Sequence, residues 1–155
     1  MGYIFDLRKH IGTKPIIMVG AGIVITDEKN RILLQRRKDN NTWSLIGGSM
    51  EPGETFEDTA KREAKEEAGI TLNKLELIKV FSGKEMYHRY PNGDEVYNVA
   101  GIFLVKDYSG EIIVNDHESH EHKFFDIKEI PSKLNPPDAI IIEYIKNIIA
   151  KIKEG

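Results

Sequence analysis

The 155-residue chain has no cysteine. That excludes disulfides, thiolate zinc sites and cysteine nucleophiles together, and it fits a reducing compartment. Long hydrophobic runs are also missing, and no segment matches the ~20 apolar residues that a membrane-spanning helix needs. The N-terminus, MGYIFDLRKH, carries Asp6, Arg8 and Lys9 where a secretory leader needs an apolar stretch. Asp6 also stands where a myristoylation signal needs Ser or Thr. Nor is there an excess of positive charge: 22 basic and 25 acidic residues leave a net charge of −3. This balance argues against a nucleic-acid polymer as partner. Small phosphorylated ligands stay open, provided metal ions supply the positive charge. The expectation is a cytoplasmic protein with no membrane partner.

What is present is ordinary for a folded domain: 40% apolar and 30% charged residues. The length predicts one domain, residues 1–155, with 1–14 an N-terminal extension able to form a short helix over Tyr3–Ile11. Pro15 ends that helix. IIMVGAGIVIT (16–26) predicts a buried central strand, and RILLQRR (31–37) the second half of a hairpin with it. Trp43–Ile46 predicts a short strand ending at Gly47-Gly48. Residues 75–90 predict a long, irregular strand, PNGD (91–94) a turn, and EVYNVAGIFLV (95–105) an antiparallel return. A polar loop is expected at 115–121, a last strand at 123–127, and a closing helix from Asp138 to Lys153 with Ile141, Ile145, Ile148 and Ile152 at helical spacing. Strands with one central and one terminal helix predict a mixed α+β domain with the sheet covered on both faces. A homodimer is compatible with this organisation.

The most informative stretch is GSMEPGETFEDTAKREAKEEAGI, residues 48–70. A Gly/Pro-rich loop enters a helix whose ends are both marked. Thr55 with Asp58 three residues on has the form of an N-cap and capping-box partner, and Gly69 suits a left-handed C-terminal cap. At about 100° per residue, Glu63, Glu66 and Glu67 share one sector, flanked by an Ala60–Ala64–Ala68 stripe, with Lys61, Lys65 and Asp58 opposite. Three acids thus crowd against the stripe that should pack on the protein. Like charges repel there and burial adds to the cost, so the arrangement calls for a divalent cation at that place. Hard cations take oxygen ligands; the three glutamates offer carboxylates, and the Gly48 carbonyl a further oxygen.

The spacing G-x5-E-x7-R-E-U-x-E-E-x-G-U (U, bulky aliphatic) is filled by Gly48, Glu54, Arg62, Glu63, Ala64, Glu66, Glu67, Gly69 and Ile70. This resembles the signature of the Nudix hydrolases. Every ionisable position matches, and the departure inside the pattern is Ala64, a packing position. The preceding Trp43-Ser44-Leu45-Ile46-Gly47-Gly48 is similar to the family's W-x-L-P-G-G, with Ile46 in place of Pro. The resemblance implies an α/β/α sandwich whose signature helix covers one face of a mixed sheet. It implies Mg2+- or Mn2+-dependent hydrolysis of a nucleoside diphosphate linked to another group: a nucleoside triphosphate, a nucleotide sugar such as ADP-ribose, or a dinucleoside polyphosphate. The alternative is a non-catalytic nucleotide-sensing module of the same fold. Loss of signature acids would mark that module, and here all are present. The cysteine-dependent isomerase branch of the fold is excluded, and a loop-borne EF-hand does not match acids on a helix.

Glu63, Glu66 and Glu67 with Gly48 are the expected metal ligands. Arg62 is expected to orient Glu54 or Glu66, with Glu54 an outer ligand or its partner. The general base is a signature glutamate or one from the later loop, Glu118 or Glu121. Glu121 is preferred because Glu121–Phe124–Phe125 resembles the family's E-x-x-W-F. Candidate substrate contacts are Arg37, within the basic run Arg36-Arg37-Lys38, Glu54 at the helix mouth, and Tyr97 among the aromatics of the long hairpin. Asp138 is read first as a helix N-cap and second as an acceptor for a base edge. His117, His120 and His122 are read as members of a polar loop able to tune the site by titration.

Overall fold

β1 (Ile16–Ile25) follows the short helix α1 (Tyr3–Ile11) and is the strand on which the main sheet is built. The computed structural model describes residues 2–115 and 117–154, so Met1, Gly155 and Asp116, within the expected 115–121 loop, lie outside it. Strand β1 runs parallel to β7 (Glu95–Ser109) and antiparallel to β4 (Ile46–Ser49). β5 (Thr71–Phe81) and β6 (Tyr87–Arg89) pair antiparallel with β7, giving a mixed sheet in the order β4-β1-β7-β5 with β6 alongside β7. A second sheet, β3-β2-β8, joins β3 (Trp43–Ser44), β2 (Ile32–Arg37) and β8 (Ser119–Phe125).

Helix α2 (Phe56–Ala68) covers one side of these sheets and α3 (Pro136–Glu154) the other. Ala60, Ala64 and Ala68 are fully buried against Ala21, Ile23, Ile46 and Phe103. Ile141, Ile142, Ile145 and Ile149 of α3 pack with Leu34, Leu45, Ile102 and Leu104. Alternation along β2 sends Leu33 to the first core and Ile32 and Leu34 to the second. This is the expected α/β/α sandwich with a mixed central sheet.

Four local expectations change. β1 and β2 meet only through a Thr26–Ile32 bridge and then enter different sheets, so they are not a full hairpin. The chain after Trp43 does not stop at Gly47-Gly48: β4 runs through both glycines, paired with Gly22 and Ala21. The expected 115–121 loop is shorter, because β8 begins at Ser119 and pairs with β2, its register skipping His120. The isoleucine face of α3 is also rotated, with Ile149 buried and Ile152 exposed.

The ends of α2 are as expected. Asp58 N–H donates to Thr55 Oγ1 (3.0 Å) and Thr55 N–H to Asp58 Oδ2 (3.1 Å), a complete capping box. Gly69 closes the helix at φ 71°, ψ 16°, its N–H reaching the Lys65 carbonyl. Because this cap fixes where α2 begins, Thr55→Ala is expected to lower global stability by about 1 kcal/mol, measured by urea denaturation; an unchanged midpoint would show that the cap does not hold the helix start.

Candidate active site

α2 meets the β4 edge at one end of a cleft of about 520 Å3. That end is lined by Gly47, Gly48, Glu63, Glu67 and Glu118, and the other by Arg37, Tyr90, Asn98, Asn135 and Asp138. The signature stretch and the chain's distant parts therefore share one cavity.

Arg62 organises the acidic end. Its guanidinium donates to both Glu54 oxygens (2.7 and 2.9 Å), to Glu63 (2.8 Å) and to the Ser49 carbonyl (2.8 Å), and lies 3.4 Å from Glu66. Glu54 also accepts from Glu51 N–H and Thr59 Oγ1. The hydrogen-bonded guanidinium holds the Glu54 carboxyl down to about 2. Glu54 thus orients Arg62 and lies outside the cleft lining.

Glu63 and Glu67 behave oppositely. Burial pushes Glu63 up to about 7, opposed by Arg62 and reinforced by Glu66 and Glu118. Glu67, only 6% exposed, is driven well above the usual carboxylate range by burial and then by the Glu63 charge. Its two oxygens accept from Gly47 N–H (2.8 Å) and Gln35 Nε2 (3.1 Å). Glu66 is the open member, with its side chain 56% exposed. The Gly48 backbone lies so close to Glu63 that a Cβ there would collide with the carboxylate.

This donor set fits a hard divalent cation. The groups are oxygens, two carboxylates are desolvated and mutually repelling, and a carbonyl-bearing glycine abuts one of them. Among the described residues no three acids or histidines already converge as a ligand cluster. Arg62 holds Glu63, while Gly47 and Gln35 hold Glu67.

The two candidate bases separate. Glu118 lines the cleft, and its charge reaches both Glu63 and Glu67. Its turn is anchored by Asn115, whose carbonyl accepts from Glu118 N–H and whose side chain donates to the Glu66 carbonyl (3.3 Å). Glu121 is not brought to the cleft: β8 has begun, and its carboxylate faces Arg36 at 3.4 Å, opposite it in the β2–β8 ladder. His117 lines the cleft, whereas His122 sits on β8 against Gln35.

At the far end, Arg37 lines the cleft but is gripped by Asp39 in a two-point pair (2.9 and 2.7 Å). Asp138 is not the N-cap of α3. Asn135 precedes the helix, and Asp138 lies inside its first turn, accepting from Leu45 N–H (3.1 Å), with burial raising its carboxyl to about 6. Tyr97 is not brought in: it is 40% exposed with its ring 5.2 Å from Tyr87. Its neighbour Asn98 lines the cleft. Sequence reasoning missed Gln35 and Asn98. The available signal was a lone amide in each of two apolar strands, ILLQRR and EVYNVAGIFLV.

A loop–helix crowding carboxylates at one end of a polar cleft, on a mixed sheet between two helices, places the protein in the class of Nudix-fold hydrolases. Residues 17–145 match the NUDIX domain, and the chain belongs to that family. It is 31% identical over 145 residues to an ADP-ribose pyrophosphatase of Methanocaldococcus jannaschii, covering 91% of this chain and 80% of that protein. It is 31% identical over 109 residues to the dihydroneopterin triphosphate diphosphatase of Escherichia coli, covering 64% of this chain and 71% of that one. The crystal structure of a MutT NUDIX hydrolase from Burkholderia pseudomallei superposes with a TM-score of 0.70 at 30% identity, over 84% of this chain and 97% of that one.

The Glu63 shift sets a pH dependence. Its carboxyl is raised from 4.5 to about 7, so between those values the folded protein holds a proton that the unfolded chain has released. That contribution to stability is full below the unfolded value and is lost as pH rises through the folded one. In chelator, the melting temperature is expected to fall across this window, and Glu63→Gln to flatten the fall; an equal slope in both proteins would place the titration elsewhere.

Proposed function

We propose that the protein hydrolyses a diphosphate linkage in a nucleoside diphosphate derivative, with water and a divalent cation, Mg2+ or Mn2+, held by Glu63, Glu66, Glu67 and the Gly48 carbonyl. The protein is a Nudix pyrophosphohydrolase by family. The observation supporting the metal reading is the pair Glu63 and Glu67, both desolvated at the cleft's end and each raised by neighbouring acid charge. A bound cation supplies charge neutralisation at the diphosphate and lowers the pKa of the attacking water.

The protein's own groups then divide the work. Arg62, fixed by Glu54 and the Ser49 carbonyl, orients Glu63 and screens it from its neighbours. Glu118 lines the cleft within reach of the Glu63 and Glu67 charges, where it would take the proton from water as general base. Arg37, partly neutralised by Asp39, and Asp138 face the remainder of the substrate, the first toward a phosphate and the second toward a donor on a base. The cleft volume suits a small-molecule nucleotide. The substrate class is a nucleoside triphosphate, a nucleotide sugar such as ADP-ribose, or a dinucleoside polyphosphate. The name of the Methanocaldococcus relative, an ADP-ribose pyrophosphatase, lends support to the nucleotide sugar, and that of the Escherichia relative, a dihydroneopterin triphosphate diphosphatase, only to a triphosphate chain.

A screen of these three classes with Mg2+ or Mn2+, recording product masses, identifies both substrate and broken bond. Activity is expected to vanish in excess chelator and in Glu67→Gln. Turnover persisting under either condition would refute the metal site. Glu118→Gln is expected to lower kcat by roughly 10²-fold or more, with Glu121→Gln near wild type; the reverse order in steady-state kinetics would restore Glu121 as the base.

A further inference from the structure

Behind Glu67 lies a buried polar network that the proposed reaction does not use. Gln35 (3% exposed) is the one polar member of the buried first four residues of β2. Its Nε2 donates to Glu67 Oε1 (3.1 Å) and to the Leu45 carbonyl (3.3 Å). Its Oε1 accepts from Ser119 Oγ (2.7 Å) and lies 3.3 Å from His122 Nε2. Ser119 is itself 2% exposed.

These contacts settle which way the amide faces. The Leu45 carbonyl accepts only, so the group facing it is the NH2. With the amide reversed, oxygen would face both that carbonyl and the Glu67 carboxylate, while Ser119 would lose its acceptor. The Leu45 contact does not depend on the protonation of Glu67. The Gln35 donor therefore stays aimed at Glu67 whether or not that group carries charge.

Glu67 needs such a donor. It lies at the bottom of the cleft, where one oxygen accepts from Gly47 N–H and the other from Gln35. Each carboxylate oxygen keeps a second lone pair. One donor per oxygen thus fixes the plane of the group and stabilises its charge, leaving the remaining lone pairs for a cation.

We propose that Gln35, locked by the Leu45 carbonyl and by Ser119, is a positioning residue that presents Glu67 to the divalent cation. This rests on the metal reading given above. Gln35 lines the cleft, but its amide is taken up by Glu67, the Leu45 carbonyl and Ser119, so it acts through Glu67. A core residue that merely filled space would not influence cation affinity, whereas a partner of a metal ligand does so by about 10- to 100-fold.

The test is Mn2+ binding in the absence of substrate, with free Mn2+ followed by electron paramagnetic resonance, on wild type, Gln35→Leu and Ser119→Ala, alongside thermal melts and steady-state kinetics. Gln35→Leu is expected to weaken Mn2+ binding by about tenfold or more, with much of the lost turnover recovered at saturating Mn2+. Ser119→Ala leaves Glu67 and its donor in place but removes one of the two locks on the amide, and is expected to weaken binding measurably but less than Gln35→Leu. If Gln35→Leu fails to fold, Ser119→Ala alone decides the question. Folded variants that bind Mn2+ as tightly as the wild type would overturn the role of Gln35 while leaving the metal site intact. A wild type that binds no Mn2+ would overturn the metal reading itself, and this inference with it.

Discussion

The guanidinium of Arg62 joins three separate pieces of chain: Glu54 in the loop before α2, the Ser49 carbonyl at the end of β4, and Glu63 on α2 itself. Three acids, Glu54, Glu63 and Glu66, sit within its reach, and no other cation is paired with them among the described residues. The geometry demands a planar fork. Two donors meet the two Glu54 oxygens while the outer hydrogens reach a carbonyl and a second carboxylate, which a single ammonium could not do. Glu54, held down to about 2, stays charged so that Arg62 stays oriented. The acid-rich end of the cleft is thereby assembled before any cation is needed to neutralise it.

Small residues let this assembly lie against the sheet. Three fully buried alanines bring α2 close enough for Glu67, one helical step from the stripe, to slip beneath it and accept from the Gly47 N–H. Phe56 at the start of α2 rests on Gly101, where a Cβ would come within 2.6 Å of its ring. Larger side chains at these positions would lift the helix, and the carboxylates would rise into water. There they would repel less and would also be weaker claimants for a cation. The crowding is thus a consequence of backbone approach, and Ala64, in place of the bulkier aliphatic of the family pattern, is part of it.

Legibility in the sequence follows the range of the interactions. The capping box, the Gly69 cap and the face shared by the three glutamates depend on residues three or four apart, and each was readable. Gly48, Arg62 and Glu54 came with the family resemblance, and the structure gathers them around one guanidinium. Pairing between distant strands was not readable. The β1–β2 hairpin gave way because β2 finds its partner in β8, about 90 residues on. That pairing also takes Glu121 out of the loop and onto Arg36, leaving Glu118 to face the cleft. Tyr97 instead packs its half-exposed ring beside Tyr87, across the β6–β7 pair, and the next residue, Asn98, lines the cleft. Asp138 was displaced from the cap by Asn135, because Pro136 already suits the first helical position.

The division of the cleft has a structural basis in one connector residue. The acidic end is built almost wholly from one stretch of chain, while the far end combines the turn after β2, the segment around β6, strand β7 and the start of α3. Leu45, between β3 and β4, touches both through its backbone: its N–H binds Asp138 and its carbonyl accepts from Gln35, which in turn donates to Glu67. On the proposed function, a substitution at the far end that leaves the Leu45 main chain in place would alter what is recognised without moving the carboxylates. A shift of that main chain disturbs both ends at once. On that reading, variation in the substrate at constant chemistry is expected from side chains around Asp138 and Asn98, and not from the segment that carries Leu45, because at Leu45 the two ends of the cleft share one residue's main chain.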